Sequence, residues 1–384
     1  MARCLIEIPF MNRFRLCLSL VVVTSAALRG DTVDKFVQAE MKAHNIPGIS
    51  IAVIKNGQLL KAQGYGLANV DLNARASAES VYQLASVTKQ LTAAAIVLLA
   101  QEKRLHFDDK ISSYFPDTPR DWSEITIRHL LTMTSGIKDY NGPLGSSRED
   151  FDYPKLWRII AGFPLDFEPG QKWAYSNSNY ILLAMLIQRL TGAPWDQFLA
   201  NRLFKPLGMT ATRRDDPFEI VKNRVALYET ESNRLVNCKF VNPTLFNNGD
   251  GGLLTTVLDM AKWDAVLYPG KLFKAATLAE MWEPVSFNGT VLKHYGFGWY
   301  LNQAGDQRIV LHGGGRPGSS TQFSRFLDAK LSVVVLINRS GINAERMAHQ
   351  IAAFYIPDLP PYAPSGIRNP PKWNATGELL PPRE

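Results

Sequence analysis

The sequence predicts an α+β fold: one antiparallel sheet flanked by helices, with a mostly helical region inserted between its early and late strands. Three observations carry this. Strand-like, β-branched runs gather near the two ends of the chain, over 46–66 and 308–338. The stretch 86–290 between them reads mostly as helices and loops. The connections within each strand cluster are short, which pairs neighbours antiparallel because parallel neighbours need a long crossover.

The elements follow in order. Asp31 to His44 reads as a helix whose apolar stripe is Val33, Phe36, Val37 and Met41. Ile49 to Ile54 is a strand. Asn56-Gly57 is a hairpin turn, since both residues tolerate positive φ, and Leu59 to Tyr65 is the return strand. A helix begins near Ser86 and ends near Glu102; its run Ala93 to Leu99 is apolar all round, as in a helix buried inside a domain. Ile127 to Met133 is a short helix stopped near Gly136, and Asp139 to Pro154 reads as a polar surface loop at a cleft mouth. Glu168-Pro169-Gly170 is a turn. Tyr180 to Leu190 and Phe198 to Phe204 are helices, ended by Gly192 with Pro194 and by Pro206 with Gly208. Asp250-Gly251-Gly252 is a glycine-rich entry to a helix over Val257 to Leu267. Three late strands are expected at Arg308 to Leu311, Gln322 to Leu327 and Leu331 to Ile337, with turns near Gly318 and Ala329. A helix from Asn343 to Phe354 closes the domain, which spans 31–355.

Composition bounds the function. The chain has 384 residues, 46% hydrophobic and 20% charged, so it is globular and can bury a large core without disulfides or metals. Its formal net charge of +7 comes with no long Lys/Arg run, which argues against a nucleic-acid partner. Residues 1–27 read as a signal peptide: Arg3, Arg13 and Arg15, then the apolar stretch Leu16 to Val23, then Thr24-Ser25-Ala26-Ala27. Cleavage after Ala26 or Ala27 would export the chain to a periplasmic or extracellular space, with association with the cell envelope a further expectation. An uncleaved membrane anchor is the alternative. Removing three arginines and Glu7 with that segment lowers the net charge to +5. Cys4 and Cys17 go with it, so the mature chain keeps only Cys238 and forms no internal disulfide; Cys238 reads as a small buried hydrophobe. After Pro357 the chain is rich in proline, and 356–384 is a tail or linker.

Three short motifs carry chemistry. Ser86 and Lys89 lie at i and i+3 on the buried helix, which places a hydroxyl beside an amine. A lysine titrates near ~10.4 in water, so it serves as a base only where burial or neighbouring cations lower that value. On its own this spacing is common, and a serine near a helix start with a solvated lysine is the bland explanation. Trp173 to Tyr180 is a polar cluster leading into a helix; Tyr175 and Asn177 suit proton transfer and substrate-carbonyl binding, while helix capping by Ser176, Asn177 or Ser178 is the plainer alternative. Leu311-His312-Gly313-Gly314-Gly315 ends a predicted strand, and its glycines let a substrate lie against the strand edge; His312 could equally be a structural histidine.

Together, in this order and on these elements, the motifs resemble the serine β-lactamase and penicillin-binding-protein superfamily, in particular its class C β-lactamase, D-alanyl-D-alanine carboxypeptidase and esterase group. The resemblance covers roughly residues 31 to 355. It includes the lesser segments Ile46-Pro47-Gly48, His129 to Gly136, Glu168-Pro169-Gly170, Gly251-Gly252-Leu253 and Tyr295 to Trp299. It implies a β-lactamase/transpeptidase-like fold with the site in the cleft between sheet and helical region. It also implies an exported serine hydrolase acting on a small-molecule or peptide substrate, with neither metal nor cofactor. Ser86 would be acylated, with Lys89 and Tyr175 sharing the proton transfers. Asn177 would hold Lys89 and the substrate amide, His312 would help orient Tyr175 or bind the substrate, Gly313, Gly314 and Gly315 would bind substrate, and the backbone N–H groups of Ser86 and Gly315 would form the oxyanion hole. Class C β-lactamases carry lysine where this chain has His312, so the resemblance leans toward D-alanyl-D-alanine carboxypeptidases and D-aminopeptidases. A carboxylesterase for small esters is the alternative within the class, and a catalytically silent binder of muropeptides or penicillins the alternative outside it.

Other patterns fail on context. Gly313, Gly315 and Gly318 match a dinucleotide fingerprint, but Pro317 interrupts it and a strand follows instead of a helix. Gly-x-Ser-x-Gly, His-Glu-x-x-His and paired-cysteine motifs are absent. Asn288-Gly289-Thr290 and Asn374-Ala375-Thr376 fit a glycosylation pattern whose use depends on a eukaryotic secretory route.

Overall fold

Residues 48–75 and 300–337 build one sheet, and the core formed by the described residues between them packs against one of its faces. A computed structural model describes residues 32–145, 147–238 and 242–363. The expected signal segment 1–27 and the tail beyond 363 lie outside the described residues. Helix α1 (32–43) leads into β1 (Gly48–Lys55) and β2 (Gln58–Asn69). Asn56 and Gly57 between them have φ of 53° and 73°, the left-handed pair that a tight hairpin needs. A two-residue strand, β3 (Ala74–Arg75), follows. Then come α2 (Thr88–Gln101), α3 (Ile127–Leu131), α4 (Asn177–Thr191) and α5 (Val257–Val266). The sheet resumes with β4 (Tyr300–Ala304), β5 (Gln307–Arg316), β6 (Ser319–Phe326) and β7 (Leu331–Ile337), and α6 (Ala344–Ala353) closes the described core.

The strand order is β4-β5-β6-β7-β1-β2-β3. Every pairing is antiparallel, including β1 against β7, where Ile51 faces Val335 and Val53 faces Val333. Side chains alternate across a sheet, so each central strand serves two cores. Ile49, Ile51, Val53, Val333, Val335 and Ile337 pack under α1 and α6. Ala52, Ile54, Phe323, Val334 and Leu336 face the helical region. This two-sided burial explains why β1 and β7 read as largely apolar runs, interrupted inside only by the buried Ser50 and Ser332, each fully buried Ile or Val contributing about 1.5–3 kcal/mol. Helix α2 is buried in the helical core, packed against α4 and the helix Trp195–Leu199, and for that reason it is apolar on nearly every side.

Several expectations shift. Among the described residues the sheet has seven strands where five were expected, because β3 and β4 are too short or too polar to read as strands. The late strand expected at Arg308 to Leu311 runs on through Arg316, so the triple glycine lies within β5 and not at its end. The helix expected from Tyr180 begins at Asn177, since polar residues can fill a first turn when their side chains have other partners. The helical region also holds small sheets: Leu253–Thr255 pairs with Tyr82–Gln83 and Arg213–Arg214, and Tyr228–Glu231 pairs with Arg234–Asn237. The segment expected as a surface loop, Asp139 to Pro154, starts with two residues whose side chains are bonded to Asn177 and Asp250 in the interior. Among the described residues no helix is long and apolar enough to cross a membrane.

The sheet leaves one strand edge open. Strand β4 stops pairing with β5 at Tyr300 opposite Leu311, while β6 continues along β5 to Ser319 opposite Arg316. The backbone from His312 to Arg316 therefore has a strand partner on one side only, among the described residues.

Candidate active site

Ser86 sits in a single 3₁₀ turn, Ala85–Val87, that feeds directly into α2. The residue before it, Ala85, has φ of +49°. A left-handed alanine costs about 1–2 kcal/mol, so the surroundings must impose this turn. They do: Leu84 donates its N–H to Leu253 O and accepts a hydrogen bond from Thr321 Oγ1 on β6. The turn is clasped between strand and helical region, and Ser86 is left partly exposed at the end of a buried helix.

Lys89 is fully buried. Its Nζ lies 3.2 Å from Ser86 Oγ, 2.8 Å from Asn177 Oδ1 and 2.6 Å from the backbone oxygen of Asp250. The two carbonyl oxygens can only accept, so they take two N–H bonds. The third direction on nitrogen, the one toward Ser86, is the position where a proton can be held or received. Burial lowers the Lys89 pKa to about 8, partly opposed by the charges of Asp250 and Asp139. The amine is therefore much closer to neutrality at pH 7 than a solvated lysine.

Tyr175 stands over the same nitrogen, its ring centroid 4.9 Å from Lys89 Nζ. Burial pushes its phenol above the ordinary tyrosine range, while a hydrogen bond with Ser86 favours the ionised form and offsets part of that. Asn177 belongs to the first turn of α4, two residues on. The serines around it do not cap that helix through their side chains: Ser178 Oγ donates to Lys138 O at 2.7 Å and accepts from Tyr140 N at 3.0 Å. The polar cluster thus latches the 135–140 segment onto α4, with Ser135 Oγ donating to Asn179 Oδ1 at 2.6 Å.

His312 is buried in an aromatic cage of Tyr175, Tyr295 and Tyr300, with ring centroids 6.2, 5.9 and 5.1 Å away. Its Nδ1 lies 2.6 Å from Gly313 O, which can only accept, so Nδ1 carries the proton. Nε2, 3.3 Å from Tyr295 Oη, then accepts from that hydroxyl. Burial, with Lys89 nearby, lowers the His312 pKa to about 3, and the ring is neutral at ordinary pH. Both ring nitrogens are occupied and the ring is enclosed, so it meets Tyr175 by packing and offers no open polar edge to the cleft.

The glycines divide by role. A Cβ on Gly314 would lie 2.2 Å from Thr321 Oγ1, 2.5 Å from Leu84 O and 3.0 Å from the Ala85 Cβ. Gly314 is where the strand passes the Ser86 turn at backbone distance. A Cβ on Gly313 would meet Gln322 Oε1 at 2.9 Å, and one on Gly315 would meet nothing within 4 Å. Gly315 is exposed and, with Ser86 and Asn177, lines a cavity of about 370 Å³.

Sequence reasoning missed several contributors. Asp139 Oδ2 accepts from Asn177 Nδ2 at 3.0 Å. Tyr140 Oη donates to the buried Asp250 carboxylate, 2.8 Å to Oδ2. Burial raises the Asp250 pKa, and the Lys89 charge and that hydroxyl pull it back. Arg316 reaches the cavity next to Gly315. The signals were present: Asp139 and Tyr140 directly follow the His129 to Gly136 segment, and Arg316 directly follows the triple glycine. Cys238 is half-buried, with burial and the Glu229 charge raising its pKa to about 11.

Fold and site together define a serine hydrolase of the β-lactamase and penicillin-binding-protein class. The chain belongs to the Beta-lactamase family, whose model matches residues 33–356. Penicillin-binding protein 4* of Bacillus subtilis is 30% identical over 336 residues, covering 83% of this chain and 74% of that protein. Among solved structures, an octameric penicillin-binding protein homologue from Pyrococcus abyssi superposes with a TM-score of 0.75 at 25% identity, covering 85% of this chain and 77% of that one. The D-amino acid amidase of Ochrobactrum anthropi SV3 shares the fold, with a TM-score of 0.72 at 21% identity over 85% of this chain and 97% of its own.

Proposed function

We propose that this chain hydrolyses an amide or ester bond through an acyl-enzyme on Ser86, with D-amino-acid peptides of cell-wall type as the leading substrate class. The observation that carries the reading is the Lys89 amine, buried and bound on two sides by acceptor-only oxygens, with its remaining direction 3.2 Å from Ser86 Oγ. Neutral Lys89 takes the Ser86 proton as Oγ attacks the carbonyl carbon. Tyr175, whose phenol stays protonated, passes a proton to the departing nitrogen or oxygen and is reprotonated from Lys89. Water then attacks the acyl carbon by the reverse route and releases the acid. Proton transfer of this kind is worth ~10²–10⁴ in rate. The oxyanion sits between the N–H groups of Ser86 and Gly315, and loss of one such donor costs ~10²–10³. Asn177 holds Lys89 and keeps one amide hydrogen for the substrate. The one-sided edge of β5 from His312 to Arg316 supports binding of an extended substrate as an added strand.

Export rests on the residue pattern of 1–27, and a catalytic domain over 31–355 with a Pro-rich tail is part of the same proposal. Relatives with penicillin-binding or D-amino acid amidase in their names support the substrate class without fixing it.

The test is a time course of intact mass with a penicillin and with a p-nitrophenyl ester, on wild type and Ser86→Ala. A long-lived penicillin adduct that Ser86→Ala loses indicates a peptidase. A brief adduct with accumulating hydrolysed drug indicates a working β-lactamase. Ester turnover without a penicillin adduct indicates the esterase. A preparation that binds penicillin but acylates from neither compound sinks the hydrolase reading in favour of a silent binder.

A further inference from the structure

We propose that Arg316 selects an acyl group carrying its own anion, a carboxylate a short chain away from the scissile carbonyl. This rests on the reading of Ser86 as an acylated nucleophile. Side chains of β5 alternate, so His312, Gly314 and Arg316 share one face. Gly314 passes against the Ser86 turn, which places His312 on one flank of the nucleophile and Arg316 on the other. On the His312 flank stands Tyr175, the proton donor to the leaving group. The acyl portion is thereby directed to the opposite flank, into the cavity lined by Ser86, Tyr140, Phe246, Gly251 and Arg316.

The guanidinium there is poorly satisfied. Nη1 and Nη2 each lie 3.3 Å from Asn247 Oδ1, and Nη1 lies 3.4 Å from Gly251 O. These are long bonds to neutral oxygens. Nε is buried and has no hydrogen-bond partner among the described residues. The plane rests near Phe246, 5.6 Å from the ring centroid, which fixes the fork in the cavity wall. Two buried carboxylates act on it at longer range and favour its charged form, but neither hydrogen-bonds to it among the described residues: Asp215 is bonded to Arg224 at 2.7 Å and to Gln83 Nε2 at 2.8 Å, and Asp250 to Tyr140. A partly buried guanidinium whose hydrogen-bond partners are long and neutral leaves N–H groups under-used, and its planar fork matches a carboxylate. A ligand carboxylate in the cavity would supply what the protein does not.

The experiment compares kcat/KM for mono-p-nitrophenyl glutarate and p-nitrophenyl valerate, which have acyl chains of equal length and differ in the terminal carboxylate. In both, Ser86 Oγ displaces p-nitrophenolate and water then releases the acid, so one absorbance reads both after the uncatalysed rate is subtracted. The expected wild-type preference for the glutarate ester is about ten- to a hundredfold, the range for a hydrogen bond to a charged group. Arg316→Gln brings the ratio near one, and Arg316→Lys keeps part of it. A wild-type ratio at or below one, or a ratio unchanged in Arg316→Gln, overturns the proposal and leaves the hydrolase reading intact. If neither ester acylates Ser86, the penicillin adduct decides the hydrolase reading, and binding decides the anion site. Glutarate then binds the Ser86→Ala protein by calorimetry and is lost when Arg316→Gln is added. Absence of that binding, or its survival in the double variant, overturns the proposal.

Discussion

Asp139 holds Asn177 by its amide nitrogen, and that contact fixes which end of the amide faces Lys89. The Nδ2–Oδ2 distance is 3.0 Å, and Oδ1 of the same amide lies 2.8 Å from Lys89 Nζ. A carboxylate cannot donate, so the amide has one orientation that satisfies both neighbours. Asp139 is thus a positioning residue, acting on the base through Asn177.

Two consequences of replacing Asp139 with alanine can be separated. The amide loses its anchor, so kcat/KM falls about tenfold or more, the scale of one lost hydrogen bond to a charged group. The ammonium form of Lys89 also loses a stabilising anion. Its pKa moves further down, and the acidic limb of the pH–rate profile shifts to lower pH. A loss of rate with an unmoved limb would mean that Asp139 serves only the fold.

The wild-type pH profile follows from burial. Lys89 is a base only when neutral, and desolvation brings its pKa to about 8. Below that value the amine is protonated and kcat/KM falls with falling pH; above it the rate levels off. The same shift acts on stability with a definite sign. Between about 8 and the unfolded-lysine value near ~10.4, the unfolded chain binds more protons than the folded one, so this residue makes stability rise with pH across that window. Rates on any ester substrate from pH 5 to 10 check the first statement, and thermal melts over pH 8 to 10 the second.

His312 provides a control on that assignment. Its pKa of about 3 leaves it neutral wherever the protein is assayed. In His312→Gln the aromatic cage loosens and Tyr175 is less well held, so the rate drops. The acidic limb near pH 8 nevertheless remains, because Lys89 still produces it. A limb that disappears with His312 would move the base from the lysine to the histidine.

Much of this was legible in the chain, for identifiable reasons. The sheet could be read because β1 and β7 are buried on both faces and are therefore mostly β-branched and apolar. Ser86 and Lys89 could be read because a helix apolar on every side has to be enclosed, and a lysine within it has to be desolvated. Strand β4 escaped notice because Tyr300-Leu301-Asn302-Gln303-Ala304 buries only Leu301 and places two amides side by side at an edge, where strands carry no buried run. Asp139, Tyr140 and Arg316 escaped because polar residues in an irregular stretch look solvated. Their burial depends on α4 and β5 arriving from far along the chain. The start of α4 was placed three residues late for a related reason: Asn177 to Asn179 satisfy Lys89, Lys138 and Ser135, none of them a neighbour in sequence.

The glycines of β5 make the sharpest contrast between packing and open space. Gly314 and Gly315 are adjacent and chemically identical. Only the first is pressed against the Ser86 turn, with backbone Leu84 O at 2.5 Å from where a Cβ would sit. Backbone cannot rotate away as a side chain can, so Gly314→Ala must push β5 off the turn. That costs about 1–3 kcal/mol, a melting temperature lower by several degrees. It also widens the gap between Ser86 and Gly315, the two groups proposed to share the oxyanion, and so lowers kcat along with stability. Gly315→Ala meets open space, and its melting temperature stays at the wild-type value. Paired melts and single-turnover acylation rates on the two variants check this. Equal destabilisation by both would mean that the approach of β5 to the nucleophile turn is not what demands glycine here.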